Sequence, residues 1–444
     1  MPAAEAFVDT ASAAAGDTLQ LHIGSSSDVA VEWYRLGWYG GAGGRLVRTD
    51  GHVVADPALP PTVDDLTGRA EAPFRAALGL TVPGDWLSGL YVAVVRPSSG
   101  TPGCAPFVVR PAPQAEVAPV LFVSAATTWQ AYNLWGGADF YDASSADTPD
   151  AAGGRRAVQV SFDRPHLQQH GAGFMPRWEL PFVRWQERDG RAVDYCADVD
   201  LELHPELVDG RRLLVFAGHH EYWSRPMRST VETAIGRGVN VAFLSANEIY
   251  WQVRFEASPL GPARRVTCYK SSDLDPLAAT QPELTTCRWR EQPVDDPEAV
   301  LIGQMYGHIA RRVADWVVAG SNHWLYDGTR LRDGDHLVNL VGQEYDTYFP
   351  QYAPPATTIL ARSPVDGDIR GPQEGEQPAD PRQHTATIYT ADSGATVFAA
   401  GTFQWSWALD GFGEPSWRGV STPHDRRVEQ MTRNLFDRLG DGPT

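Results

Sequence analysis

Arg212-Leu213-Leu214-Val215-Phe216-Ala217-Gly218-His219-His220-Glu221-Tyr222-Trp223-Ser224 is an apolar run that breaks abruptly into polar chemistry. Its first half has the continuous apolar character of a strand buried on both faces. The residues from Pro226 to Arg237 then repeat with helical period and close at Gly236 and Gly238. A second continuous apolar run follows, Val239-Asn240-Val241-Ala242-Phe243-Leu244. Strand, helix and strand in that order predict a right-handed parallel crossover. Upstream, Pro119-Val120-Leu121-Phe122-Val123 is a third run of the same kind. The three predict a doubly wound α/β domain over residues 117–444. His219, His220, Glu221 and Tyr222 then lie past the C-terminal end of a parallel strand, the edge at which open sheets bind ligands.

Residues 1–112 have a different pattern. Thr18–Ile23 and Val29–Tyr34 alternate apolar with polar residues, and Leu90–Val95 and Phe107–Arg110 are further strand candidates. Glycine and proline clusters separate them, which predicts an all-β domain, a sandwich of immunoglobulin or jelly-roll type. Pro111-Ala112-Pro113-Gln114 is the linker. Gly37 to Gly44 is glycine-rich but has no following helix, so it is a tight turn and not a phosphate loop. Residues 256–300 are polar and irregular, Asp366 to Gln383 is a solvated loop, and Asp425 to Leu439 has the pattern of a closing amphipathic helix.

A net charge of -18 over 444 residues argues against nucleic-acid and anionic-membrane surfaces. No apolar stretch approaches the ~18 residues of a membrane span, and no basic segment leads into a short apolar one at the start. The expected location is therefore cytoplasmic. Lys270 is the sole lysine, so nearly all positive charge is arginine, which suggests genome composition. Fifteen tryptophans suit buried corners of β-rich domains, with sugar-stacking platforms as the alternative. Cys104, Cys196, Cys268 and Cys287 lack CxxC spacing, which disfavours a thiolate zinc site. Cys268 and Cys287 either close an excursion as a disulfide or remain free buried thiols.

Three segments converge if the sheet is parallel: Thr127 to Tyr141 after the first strand, His219 to Tyr222 after the second, and Ser245 to Arg254 after the third. A nucleophile elbow is absent, because no Gly-x-Ser-x-Gly occurs. Glu221 with tyrosine phenolates would suit a hard metal ion, and a neighbouring histidine would serve as ligand, orienter or base. No HExxH spacing is present, so a hydrogen-bonded polar rim, with Glu221 paired to an arginine such as Arg254, remains the competing account. A glycosidase using Glu221 and Glu248 would need the two carboxylates about 5–10 Å apart.

The chain resembles the large (β) subunit of N,N-dimethylformamidase and its wider C-terminal domain family. The shared text includes Tyr34-Arg35-Leu36-Gly37-Trp38-Tyr39-Gly40-Gly41, Thr128-Trp129-Gln130-Ala131-Tyr132-Asn133-Leu134-Trp135-Gly136-Gly137 and Ser161-Phe162-Asp163-Arg164-Pro165. It continues through Gly218–Ser224, Asn247–Arg254 and Gln404-Trp405-Ser406-Trp407. The resemblance implies a β-sandwich followed by a domain like class I glutamine amidotransferases. It also implies a mononuclear ferric, Fe(III), site that hydrolyses a C–N amide bond. By motif, Glu221 matches the glutamate ligand, Tyr132 the first tyrosine ligand and His219 the assisting histidine. Tyr141 is the choice for the second tyrosine, with Phe140 adjacent. Where the family pattern has a proline after the histidine, this chain has His220, which adds a donor or alters the loop. Asn247 would donate to a developing oxyanion. The expected function is thus an iron-dependent amide hydrolase of a small substrate, acting alone as a homo-oligomer or with a small partner subunit. The alternative is a non-catalytic carbohydrate- or ligand-binding protein on the same fold.

Overall fold

The computed structural model describes residues 3–141, 156–367, 378, 380 and 382–441. Alternation of side chains builds the N-terminal part. Strand β1 (Ala4–Val8), β2 (Thr18–Ser25), β3 (Val29–Leu36), β4 (Gly44–Val53), β5 (Ala76–Thr81), β6 (Gly89–Pro97) and β7 (Gly103–Val109) form two antiparallel sheets. One has the order β1-β2-β5; the other runs Ser12–Ala13, β7, β6, β3, β4, with Ser12–Ala13 added parallel to β7. In β3 every second residue is buried, so Val29, Val31 and Trp33 enter a core with Leu21, Ile23, Tyr91, Val95 and Phe107. Gly37 to Gly43 is a tight turn closed by the Gly37 amide donating to the Gly43 carbonyl at 3.1 Å.

The continuous apolar runs form the centre of a seven-stranded sheet. Its strands are β8 (Val120–Ser124), β9 (Val193–Ala197), β10 (Leu213–Phe216), β11 (Asn240–Phe243), β15 (Thr358–Pro364), β16 (Gln383–Thr390) and β17 (Thr396–Ala399). Their order is β9-β8-β10-β11-β17-β16-β15. The first five are mutually parallel, and β16 and β15 add antiparallel. Period two explains why both faces are apolar. Val120, Phe122, Leu213, Val215, Ala242 and Phe398 pack with Phe182 and Val183 of helix α2 (Leu180–Asp189) and Val428, Met431 and Leu435 of α4 (Arg426–Leu435). The intervening Leu121, Val123, Leu214, Phe216, Val241, Phe243 and Val397 pack with Met227, Val231 and Ala234 of α3 (Arg225–Gly236). Helices therefore cover both faces. Ser224 starts α3 by accepting from the Met227 amide at 3.3 Å, with Pro226 in the first turn, where a missing N–H costs nothing.

The molecule is a mixed α/β protein with more strand than helix, and several of those strands depart from the sequence expectation. Residues 256–300 are not wholly irregular: β12 (Trp251–Ser258) and β13 (Gly261–Thr267) form an antiparallel hairpin. Tyr222–Ser224 is itself a short strand, paired parallel to β12. A further strand, β14 (Glu344–Thr347), pairs with Met305–Ile309. Cys268 and Cys287 are free thiols, as are the other two cysteines. Asp366 to Gln383 lies largely outside the described residues. No helix among those described is long and apolar enough to cross a membrane.

The segment between β8 and Tyr141 is held in place through polar bonds. Asn133 uses all its capacity, donating to Gln130 Oε1 (3.0 Å) and the Pro165 carbonyl (2.8 Å) and accepting from the Trp135 (3.2 Å) and Leu167 (3.0 Å) amides. Arg164 is fully buried and donates to the carbonyls of Trp135 (2.9 Å), Ala138 (3.1 Å) and Gln130 (3.2 Å). Replacing it with methionine leaves three buried carbonyls without donors. Arg164→Met is expected to lower stability by about 3 kcal/mol, read as a shift of the urea midpoint; a shift under about 1 kcal/mol would show the carbonyls find other donors.

Candidate active site

Each site residue is delivered by the end of a strand. After β8 the chain turns into the short helix α1 (Ala126–Ala131), and Tyr132 is its C-terminal cap. That turn is fixed by Glu179, fully buried, which accepts from Ser124 Oγ (2.6 Å), the Ala125 amide (3.0 Å) and Trp129 Nε1 (3.1 Å). After β10, Gly218 passes directly over the same carboxyl. A Cβ there would stand 2.9 Å from Glu179 Oε1, so only glycine fits. The Thr128 hydroxyl accepts from the Glu221 amide at 3.1 Å, and the Glu221 carbonyl accepts from the Tyr250 and Trp251 amides at 2.9 Å each. After β11, Asn247 and Ile249 hold φ values of 54° and 55°. A β-branched residue in the left-handed region is an outlier of the kind found at functional sites.

Tyr132, Tyr141 and Glu221 meet. The Tyr132 hydroxyl donates to Glu221 Oε2 and the Tyr141 hydroxyl to Glu221 Oε1, both at 2.5 Å. The two hydroxyls stand 3.0 Å apart, and their rings stack at 4.5 Å. Trp251 Nε1 donates to Glu221 Oε1 at 3.1 Å, and the Tyr222 hydroxyl to that of Tyr141 at 2.6 Å. Arg254 is not the partner of Glu221; it is paired with Asp275 at 2.6 Å. Burial pushes the Glu221 carboxyl up, against the pull of Lys270. Burial and the Glu221 charge push the Tyr132 and Tyr141 phenols well above their ordinary value.

His219 faces this cluster, its Nε2 3.4 Å from Glu221 Oε2 and 3.5 Å from Glu344 Oε2, with its ring against Phe403 at 4.4 Å. Burial holds it down at about 3, so its imidazole is neutral at pH 7. Asn247 donates from Nδ2 to Glu344 Oε2 (2.9 Å) and from its amide to Asp346 (2.8 Å). Burial, then the charge of Glu221, pushes Glu344 well up. His220 turns away: its Nε2 lies 3.1 Å from the Val123 carbonyl, and its ring meets Phe216 at 5.0 Å. The structure thus gathers Tyr132, Tyr141, Glu221 and His219, sets Asn247 one residue further out behind Glu344, and puts His220 under the sheet. Glu248 accepts from the His220 amide at 3.0 Å and is buried.

Sequence reasoning missed Glu344 and Lys270. Glu344 carries no motif and arrives from β14, more than a hundred residues after Glu221. Lys270 had one signal, its being the sole lysine. Its amine lies 3.2 Å from the Tyr141 ring centre, 4.9 Å from that of Trp251 and 5.3 Å from that of Tyr222. Burial brings it down to about 7.

Among the described residues no group of three or more His, Cys, Asp or Glu is arranged to hold a metal ion. A metal here would need the tyrosines. Two phenolic oxygens 3.0 Å apart, each 2.5 Å from one oxygen of the same carboxylate, are the kind of donor set that hard cations take. The residues present therefore fit such an ion.

A mixed α/β protein with an oxygen-lined cluster at the C-terminal edge of its parallel strands is the class that fold and site define. The chain belongs to the N,N-dimethylformamidase beta subunit-like, C-terminal family, whose model matches residues 30–420. Among curated proteins none matches the sequence. Among solved structures, a Paenibacillus sp. cycloisomaltooligosaccharide glucanotransferase complexed with cycloisomaltoheptaose aligns over 27% of this chain and 15% of its own, at 16% identity and a TM-score of 0.16. So slight a likeness bears on neither fold nor function.

Glu179 supplies a test of the framework. Burial lifts it to about 7. A carboxyl with a raised folded pKa binds its proton more tightly when folded, so its contribution is full below about pH 4.3, the unfolded value, and is lost as pH rises through 7. Relative to Glu179→Gln, the wild type is expected to lose about 2–3 kcal/mol between pH 4.5 and 7.5, measured by urea unfolding at each pH. A pH-independent difference would show that Glu179 does not bind a proton in that range.

Proposed function

We propose that this protein is a metal-dependent hydrolase of a C–N amide-type bond in a small substrate, with Tyr132, Tyr141 and Glu221 holding a single ferric ion. The observation that carries this reading is the convergence of two phenols from the segment after β8 with the Glu221 carboxylate from the end of β10. The β-sandwich over 1–112 and a glutamine-amidotransferase-like domain over 117–444 are part of the same proposal. When bound, the ion supplies Lewis acidity that polarises a carbonyl or lowers the pKa of a water.

Amide hydrolysis joins a water oxygen to the carbonyl carbon, breaks the C–N bond and moves one proton to the leaving nitrogen. His219 is neutral and Nε2 has no hydrogen bond among the described residues, so it is open to a hydrogen bond from water; burial disfavours the charged ring, so a proton it receives passes on at once. Glu344 stands 3.5 Å from that nitrogen and is held by Asn247, which makes the pair a relay from water to amine. Asn247 then acts on Glu344 and not as an oxyanion donor in this arrangement. His220, bonded to the Val123 carbonyl, keeps the strand end in place. Phe174 packs edge-on to Tyr132 at 6.0 Å and Phe403 lines His219, so the walls favour a compact, partly apolar substrate.

The carbohydrate-binding alternative finds less support, because none of the fifteen tryptophans is exposed and seven are fully buried. The test is an assay of amine release from a panel of formamides, acetamides and small cyclic amides with iron-loaded protein. Turnover of any of them supports the reading. Glycan binding with no turnover on the whole panel would replace it.

A further inference from the structure

Asn247 is held from both ends. Its backbone has φ 54°, a left-handed conformation that asparagine tolerates better than most residues. Its amide donates to Asp346 Oδ1 at 2.8 Å, and its side-chain nitrogen donates to Glu344 Oε2 at 2.9 Å. The second bond sets which way the carboxamide lies, nitrogen toward Glu344. The side-chain oxygen is left over. It is buried, and no donor among the described residues reaches it. A buried acceptor without a donor costs free energy, so it persists when something outside the chain meets it.

The neighbours indicate what that is. His219 Nε2, also buried and without a hydrogen bond among the described residues, lies 3.5 Å from the Glu344 oxygen that Asn247 holds. In the relay through His219 and Glu344 the proton ends on the nitrogen of the scissile bond, so that nitrogen has to come within reach of Glu344. The unpartnered oxygen belongs to the carboxamide bonded to the same Glu344 atom. It is also a neutral acceptor. A carboxylate at 247 would add a further buried charge to a neighbourhood that already holds the carboxyls of Glu221, Glu344 and Asp346.

From this arrangement we infer that Asn247 is a specificity-determining residue whose side-chain oxygen accepts from an N–H of the scissile amide. The substrates are then primary and secondary amides, lactams among them, and not N,N-disubstituted ones. The inference rests on the amide-hydrolase reading above. A hydrogen on the substrate nitrogen gives the oxygen its missing donor, whereas a methyl group there leaves it unpartnered. A site built to bond an N–H rejects an analogue that lacks it far more strongly than an apolar pocket rejects an extra methyl. The bond also fixes the direction of the nitrogen, so that the lone pair that takes the proton faces Glu344.

The experiment measures kcat/KM of the iron-loaded protein on amide pairs that differ by one N-methyl group. The pairs are N-methylformamide and N,N-dimethylformamide, N-methylacetamide and N,N-dimethylacetamide, and 2-pyrrolidinone and its N-methyl derivative. Wild type should favour the N–H member of each pair it hydrolyses by about thirtyfold, the size of a buried acceptor left without its donor. In Asn247→Leu the preference should fall to within about threefold of parity, since no acceptor remains. Asn247→Gly tests the same point with a residue at ease at φ 54°. Loss of the bond to Glu344 slows both members of a pair alike, so it cancels in the ratio. Glu344→Gln, which can still accept from Asn247, should lower turnover and keep the preference. For a variant too slow to assay, the rise in melting temperature with each amide gives the ratio from binding. A wild type that hydrolyses both members alike, or a preference unchanged in Asn247→Leu and Asn247→Gly, would overturn the inference and leave the amide-hydrolase reading intact. A wild type that hydrolyses no amide of the panel would overturn both.

Discussion

Glu221→Gln is expected to abolish amide hydrolysis and to weaken ferric binding by more than about a hundredfold. Losing an outer partner of a metal ligand costs 10–100-fold, and among the described residues Glu221 alone accepts from both phenols. The substitution keeps the shape of the side chain. The amide oxygen can still accept from one phenol, while the amide nitrogen must face the other hydroxyl or the Trp251 N–H. The metal-free fold should tolerate this, because burial already pushes the carboxyl toward its neutral form. Isothermal titration with ferric citrate and a melting curve separate the two effects. Loss of metal binding with a melting temperature within a few degrees of wild type is the expected pair. Full activity in Glu221→Gln would remove Glu221 from the chemistry.

Tyr141→Phe has the second largest expected effect. The ring remains stacked on Tyr132 at 4.5 Å and beneath the Lys270 amine, but the oxygen is gone. Ferric affinity should fall by about a hundredfold, and the visible band should lose intensity because one phenolate donor is left. Tyr222→Phe is the control. It removes the 2.6 Å bond to the Tyr141 hydroxyl and no oxygen of the cluster, so its band should persist with an affinity loss of about tenfold at most. Equal losses in the two variants would show that the hydroxyl network matters and the Tyr141 oxygen itself does not.

The parallel core was legible because continuous apolar runs have one good physical explanation, burial on both faces, and a helix of clear period lay between two of them. The position of Glu221 followed from that alone. Tyr132 and Tyr141 were accessible through the family resemblance, since loop residues nine apart carry no periodic signal. The hairpin β12–β13 was missed because its polar residues are satisfied by partners distant in sequence: Arg264 pairs with Asp163, Arg265 with Glu71 and Arg254 with Asp275. Such pairing leaves a strand without apolar alternation. Glu344 was missed for a related reason. It lies on a two-stranded ribbon whose register, not its composition, aims it at His219. His220 shows the converse error. Adjacent residues on a chain leaving a strand point opposite ways, so two neighbouring histidines do not face the same site.

The structure also separates what the quoted motifs do. Asn133, Arg164 and Gly218 stand in the most recognisable stretches, yet each serves the backbone. They tie the loop that carries Tyr132 and Tyr141, and allow the turn that carries His219 past Glu179. The chemistry is left to a few side chains whose oxygens and nitrogens meet.

Iron content and the visible spectrum of the purified, iron-reconstituted wild-type protein test the central claim most directly. The account predicts a single iron per chain and a broad tyrosinate-to-ferric band that colours the protein. A colourless protein that retains no iron after reconstitution would contradict it.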